Sequence, residues 1–298
     1  MPLEDYIIHV FCLIDDIYKD LLRTTKIRKS GYDPILADSE LITMLIVGEF
    51  LGISDNKKIW LHFKSNYLSY FPSLDIVRYK IFNKQATNLW QLIRIIHSRL
   101  LTKIGSWDLY LADGIPLPIC HLARSKRSTL FKGKVAQHYC AAKKEHYYGF
   151  KILLVTTESG IPVDYAIDAA NIDERVLLTN TAVPANSMII ADKGFISSEL
   201  ALSLEQQANI KLLTPKRKNM LQQLSNKFTK LIIGIRKRIE TTISQLTETF
   251  SINTTKARSF HGLLGRINRK ILSYTTALYF NYQLVKDQFT QLELLIQA

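Results

Sequence analysis

Residues 187–194 read Ser187-Met188-Ile189-Ile190-Ala191-Asp192-Lys193-Gly194, a short apolar run that ends on a carboxylate and a glycine turn. A run of that length, apolar without alternation, is what a strand covered on both faces looks like, and such strands are usually parallel. Upstream, Trp107 to Asp113 alternates like a strand and also ends on an acid, with Gly114 next. Tyr147–Thr157 and Ile161–Asp168 are expected as two further strands, joined through a Glu158-Ser159-Gly160 hairpin turn. Downstream of them the pattern predicts a short helix over Asp173–Thr181. The 187–191 strand comes next, then a helix over Ser197–Gln207 and a fifth strand over Ile210–Thr214.

Three hairpin-type strands followed by strands alternating with helices predict an α/β fold, a mixed sheet of the ribonuclease H-like kind with flanking helices. An all-helical region precedes it. Helices are expected over Glu4–Leu22, Ser39–Leu51, Asn56–Lys64 and Ile76–Leu101, with Asp38 as N-cap of the second and Glu40 in its first turn. The Leu51-Gly52-Ile53-Ser54 break reads either as a DNA-binding helix-turn-helix or as a core helical hairpin. Helices over Ile232–Phe250 and Leu264–Leu295 close the chain, so the expected domains are 1–103 and 104–298.

The 298 residues are 47% hydrophobic and 22% charged, ordinary for a folded protein, which excludes wholesale disorder. The net charge of +13 is not ordinary and points to a polyanionic partner. From Lys211 to Lys270 there are 14 Lys or Arg against two acids, +12, so nearly the whole excess sits in that fifth of the chain. The cluster includes Lys216-Arg217-Lys218, Lys227, Lys230 and Arg236-Lys237-Arg238, read as phosphate contacts rather than as a solvated face. No membrane anchor is expected, because the longest apolar run, Leu41 to Ile53, is too short to span and contains Glu49. The start Met1-Pro2-Leu3-Glu4-Asp5 lacks the basic residues of a secretory signal, and three cysteines make no disulfide framework; both fit a cytosolic protein.

Asp113 and Asp192 each follow a strand, and in an open α/β sheet ligands bind in the crevice beyond the strand ends. The two strands are expected side by side, so both carboxylates meet there. Glu240 comes from a helix whose apolar stripe is Ile232, Ile235, Ile239, Ile243, Leu246 and Phe250. It falls on the flank of that stripe with Arg236 one turn earlier, so it either looks into the crevice or forms a surface i, i+4 pair. Asp108, five residues before Asp113, points to the opposite face and lies roughly 16 Å away. Carboxylates suit hard cations, and two Mg²⁺ ions about 4 Å apart can activate an attacking hydroxyl and stabilise a leaving oxygen.

At these residues the sequence resembles the bacterial insertion-sequence transposases of the DDE type, and most of all the insertion-sequence nine-eight-two family. The matching stretches are Leu36-Ala37-Asp38-Ser39-Glu40-Leu41-Ile42-Thr43 with Val47-Gly48-Glu49, and Ala112-Asp113-Gly114-Ile115-Pro116-Leu117-Pro118-Ile119-Cys120. Gly149-Phe150-Lys151, Ala191-Asp192-Lys193-Gly194-Phe195 and Arg236-Lys237-Arg238-Ile239-Glu240 complete the set. Asp113, Asp192 and Glu240 are 79 and 48 residues apart, which suits that family's triad. The resemblance implies an enzyme that cuts and joins DNA at an element's terminal inverted repeats. It implies two Mg²⁺ ions, with Mn²⁺ as a substitute, held by Asp113, Asp192 and Glu240. Lys193, Lys216, Arg217, Lys218, Arg236, Lys237 and Arg238 are then expected on DNA, with residues 1–103 binding the ends and residues 104–298 catalytic. Double-stranded DNA, both ends and target, a homodimer and the bacterial cytosol at the nucleoid follow from the same reading. The chain departs from the family in Gly114-Ile115 for Ser-Phe, Ile233 for a Tyr three residues before the Arg, and Thr247 for a Lys seven after the Glu.

Other constellations are weaker. Cys120-His121 and His138-x-Cys140 suggest zinc, but adjacent residues on a strand point to opposite faces. No phosphate-binding glycine loop is present, Trp60, Trp90 and Trp107 read as core, and Arg175 reads as a helix-start residue. The competing functions are a nuclease or junction resolvase using the same triad, and a DNA-binding remnant whose site has decayed.

Overall fold

Leu109 to Ala112 alternate across a sheet, and the sorting of their neighbours shows which helices lie on each face. Tyr110 and Ala112 share one cluster with Leu177, Leu178, Leu200, Leu153 and Ile189, whereas Leu111 shares another with Ile190, Ile232 and Ile239. The chain is described by a computed structural model covering all residues except 28–32, 141–143, 218–224, 255, 285–289, 293–294 and 297–298. It divides into two units, a sheet unit of Ser106–Glu248 with Ile252–Lys256, and a helical unit of Met1–Gly105, Thr249–Ser251 and Ala257–Ala298.

In the helical unit five helices run Leu3–Thr24 (α1), Asp38–Phe50 (α2), Asn56–Asn66 (α3), Tyr79–Asn88 (α4) and Trp90–Ile104 (α5). Eleven residues of α2 are buried, so this helix is the rod about which the unit is built. Asp38 is its first helical residue and not its N-cap. Ala37 holds the cap position, and its N–H donates to Glu40 Oε2 at 2.9 Å. The Asp38 carboxylate is instead buried, accepting from Gln85 Nε2 at 2.7 Å and Tyr18 OH at 3.2 Å. Gly52, with φ +73°, stops α2 by a left-handed turn in which Ile53 N–H reaches Gly48 O at 2.8 Å. α2 is buried nearly all round, and the turn after it leads into α3, of which only Ile59 and Phe63 are buried.

The single helix expected over Ile76–Leu101 is two. Leu89, at φ −83° and ψ 6°, leaves helical geometry, closes α4 through its N–H to Gln85 O and opens α5 through its carbonyl to Ile93 N–H. The C-terminal helix, Phe260–Leu284 (α9), was expected with the sheet and belongs to the helical unit. The reason is polar. α9 carries Arg269 and Lys270 into the interior, where both pair with buried Glu49 of α2, while Lys270 Nζ also donates to Phe250 O at 2.6 Å. Ser273 Oγ donates to Ile46 O at 2.7 Å and Asn268 Nδ2 to Trp90 O at 2.7 Å, so its inward polar groups find acceptors on α2 and α5.

The sheet unit contains six strands: Leu109–Cys120 (β1), Ala136–Cys140 (β2), Glu145–Thr157 (β3), Pro162–Ala169 (β4), Met188–Ala191 (β5) and Lys211–Leu213 (β6). The central order is β4-β3-β1-β5-β6, antiparallel through β4, β3 and β1 and parallel from β1 to β5 and β6. That is the mixed ribonuclease H-like sheet expected. Helices Glu174–Thr179 (α6) and Ser198–Ala208 (α7) cover one face, and Asn226–Glu248 (α8) covers the other.

Two differences bear on the site. β1 does not close at Asp113 but runs on to Cys120, paired from Asp113 onward with β3 alone, since its parallel pairing with β5 ends at Ala112–Ala191. Pro116 and Pro118 fit there because one edge of the strand is open and proline has no N–H to offer a neighbour. β2, not anticipated, pairs with the first half of β3. Gly149 lets β3 come close: a Cβ there would stand 2.1 Å from Leu117 O.

Candidate active site

Strand parity aims the two aspartates. Asp113 shares the face of Leu111, and Asp192 follows Ile190 by two, so both side chains turn toward α8 just past the point where β5 ends. The α8 stripe of Ile232, Ile239 and Leu246 is buried on that face, which brings Arg236 and Glu240 to its edge, one turn apart.

The three acids meet one guanidinium. Arg236 Nη1 donates to Asp192 Oδ1 at 3.0 Å, and Nη2 lies 3.2 Å from both Asp113 Oδ2 and Glu240 Oε1. The Arg236 side chain is 16% exposed, against 23% for Asp113, 49% for Asp192 and 54% for Glu240. Asp113 Oδ1 also accepts the Gly114 N–H at 2.8 Å. Burial pushes the Asp113 carboxyl above the usual range, against the opposing pull of the Gly114 N–H and Arg236. Glu240 pairs with Arg236 at i, i+4, and the same guanidinium holds Asp113 and Asp192. Arg236, expected on phosphate, is turned inward among the acids.

With the guanidinium between them, no three acidic, imidazole or thiolate side chains among the described residues stand at common metal-binding distance. The donor set is nevertheless that of a hard cation, since all of it is carboxylate oxygen and a positive group already sits among the three. Arg236 is not fully bonded in that place. Its Nε is buried and has no acceptor among the described residues.

A fourth acid, Glu174, was missed. Gly114 faces α6 because it follows Asp113 by one. A Cβ on Gly114 would stand 2.5 Å from Glu174 Oε1, and one on Gly194 4.0 Å from Oε2. Lys151, 7% exposed on β3, lies 3.5 Å from Glu174 Oε1 and donates to Ile172 O at 3.3 Å. Burial raises the Glu174 carboxyl above its ordinary range; Lys151 opposes the shift and the Asp113 charge adds to it. The sequence signal was Gly114 itself, a residue without a side chain beside an aspartate where the resembling family has serine. Arg175, the neighbour that drew attention, pairs with Asp173, which caps α6.

Of the expected phosphate contacts, Lys193, Arg217, Lys237 and Arg238 are exposed and Lys216 is half-buried, while Lys218 lies outside the described residues. Lys230, Lys237 and Arg238 line a groove of about 710 Å³ between α8 and the Glu158-Ser159 turn. Cys12, Cys120 and Cys140 are free thiols. No described helix is long and apolar enough to cross a membrane.

Comparison with known proteins bears on this arrangement. A family described as transposase DDE domain matches residues 105–260, more than half of the chain. Among solved structures, the cryo-EM structure of the piggyBac transposase synaptic complex with hairpin DNA is similar. Its TM-score is 0.46 at 11% identity, over 96% of this chain and 76% of that one. No curated protein matches.

Proposed function

The chain belongs to the transposase DDE-domain family, and within it we propose an insertion-sequence transposase of the nine-eight-two type that cleaves and joins DNA at its element's terminal inverted repeats. One observation carries the reading: Asp113, Asp192 and Glu240, from two adjacent parallel strands and a helix, converge on a single cation. Asp113, Asp192 and Glu240 would hold two Mg²⁺ or Mn²⁺ ions, which when bound activate the attacking hydroxyl and stabilise the leaving oxygen of an in-line displacement. Arg236 holds the acids together meanwhile, and ions taking its place would release it for phosphate.

The DNA partners divide by position. Lys193 stands directly after Asp192, exposed at the crevice and suited to a phosphate near the cleaved bond. Lys216, Arg217 and Lys218, with Lys237 and Arg238 along the α8 groove, hold the flanking backbone by charge and carry no base information. The helical unit supplies recognition of the ends, and joining two of them calls for a homodimer, working in the bacterial cytosol at the nucleoid. A decayed remnant is disfavoured, because all three acids are present and converge.

The test is Asp113→Asn or Asp192→Asn. Either variant should lose strand cleavage and keep binding to end-bearing duplex. Cleavage by either at near wild-type rate in Mg²⁺ overturns the assignment, and cleavage without joining by the wild type points to a nuclease.

A further inference from the structure

We propose that Glu174 is a fourth acid of the same centre, holding a divalent ion on the α6 side of Asp113 while Glu240 serves the α8 side. The inference rests on the two-ion reading above. Its first support is topology. β5 pairs with β1 only as far as Ala112, so beyond that point both faces of β1 open into one gap with no strand between them. Asp113 enters the gap from the α8 face. The next residue faces α6 and has no side chain, and its place is taken by the Glu174 carboxylate, whose oxygen and carbon lie 2.5 and 3.0 Å from where a Cβ would be. Gly114, one residue after Asp113, and Gly194, two after Asp192, thus border the same carboxylate.

The second support is how that carboxylate is held. A glutamate in the first turn of a helix ordinarily faces water and favours the helix dipole. This one is drawn inward by Lys151, a buried lysine on the sheet anchored to Ile172 O, which reaches Oε1. Oε2 remains on the Gly194 side, toward the loop of Asp192. A buried cation that fixes one oxygen and leaves the other directed at a site is a positioning arrangement.

The third support is donor supply. Two ions that share Asp113 and Asp192 each need further oxygens, and hard divalent ions take about six. Glu240 can serve only the α8 side. Glu174 gives the other ion a carboxylate of its own, and Gly114 in place of serine leaves the room for it.

The experiment counts Mn²⁺ on the full-length protein without DNA, by the electron paramagnetic resonance of free Mn²⁺. The wild type should bind two ions. Glu174→Gln should keep its fold by thermal melt but lose one ion, or bind it roughly tenfold or more weakly, since even outer-shell partners of a metal cost about 10–100-fold. Gly114→Ser should act in the same direction by pushing the carboxylate aside. Lys151→Met removes the cation that draws Glu174 inward but keeps the carboxylate, so it should weaken the same ion less than Glu174→Gln does. If Glu174→Gln binds both ions as the wild type does and merely melts earlier, Glu174 is only the partner of Lys151 and the proposal is wrong. If the wild type itself binds no Mn²⁺, the two-ion reading falls, and this inference falls with it.

Discussion

Among the described residues, each unit of the molecule has a cluster of three or more charged groups around a buried or half-buried arginine, and the two are built in opposite proportion. In the helical unit, Glu49 meets Arg269 and Lys270, and all three are buried to within a few per cent. In the sheet unit, Arg236 meets Asp113, Asp192 and Glu240, and two of the acids are about half exposed. One acid between two cations, sealed from water, leaves nothing for a further ion to do; it locks α9 against α2. Three acids around one cation, with an open side, have negative charge left over and a route for ions to reach it. The chemistry of the side chains is the same in both places. Stoichiometry and access decide which cluster is a joint and which is a site.

That contrast can be broken by mutation, and the largest effect should come from the closed cluster. Glu49→Gln leaves two buried cations without their acid and should destabilise the helical unit by about 3–5 kcal/mol in a urea or thermal melt. A loss below about 1 kcal/mol would mean that water reaches Arg269 and Lys270, and the distinction from the open cluster would collapse.

The open cluster should respond more weakly and in an ion-dependent way. Arg236→Gln removes the resident cation, so the protein should lose about 1 kcal/mol of stability in chelator and recover most of it in excess Mg²⁺. Its Mn²⁺ affinity should rise, because an internal competitor is gone. Unchanged or weaker Mn²⁺ binding would show that Arg236 organises the acids without competing for their place.

Smallest in stability is Glu240→Gln. An exposed i, i+4 pair contributes about 0.3–0.5 kcal/mol, so the melt should hardly move, while cleavage of an end-bearing duplex should be lost. A fully active Glu240→Gln protein would reduce the site to its two aspartates and turn attention to Glu174 as the third acid.

The open cluster was largely legible from sequence and the closed one was not. Alternation along 107–113 and the apolar run at 187–191 located β1 and β5, and parity then aimed both aspartates. The stripe of α8 put Glu240 and Arg236 on its flank. These are local periodicities, which a one-dimensional reading captures well. Glu49, by contrast, stood out as an interruption in an apolar run and as part of a matching stretch, but its pairing was hidden, because its partners lie some 220 residues away and no pattern links them. The placement of α9 was lost with it. The end of β1 was misread for a local reason: Gly114, Pro116 and Pro118 look like terminators, yet an open edge tolerates them. Glu174 was overlooked because it comes against Gly114, the neighbour of Asp113, from the other face of the sheet, where no spacing rule applies.

The helical unit is interrupted in sequence by the whole of the sheet unit, and this has a consequence in time. When Gly105 leaves the ribosome, α2 and α5 are made, but α9 is complete only at Leu284, about 180 residues later. At about 5–20 residues per second that is a wait of roughly 9–36 s, during which Glu49 lacks Arg269 and Lys270 and α2 lacks α9, with α1, α3 and α4 already able to pack on it. The sheet unit, nearly continuous from Ser106 to Glu248, can fold in that interval. A nascent chain stopped near residue 256 would therefore have all residues of the acidic centre while its helical unit still lacked α9. The order of synthesis makes the acidic centre before α9.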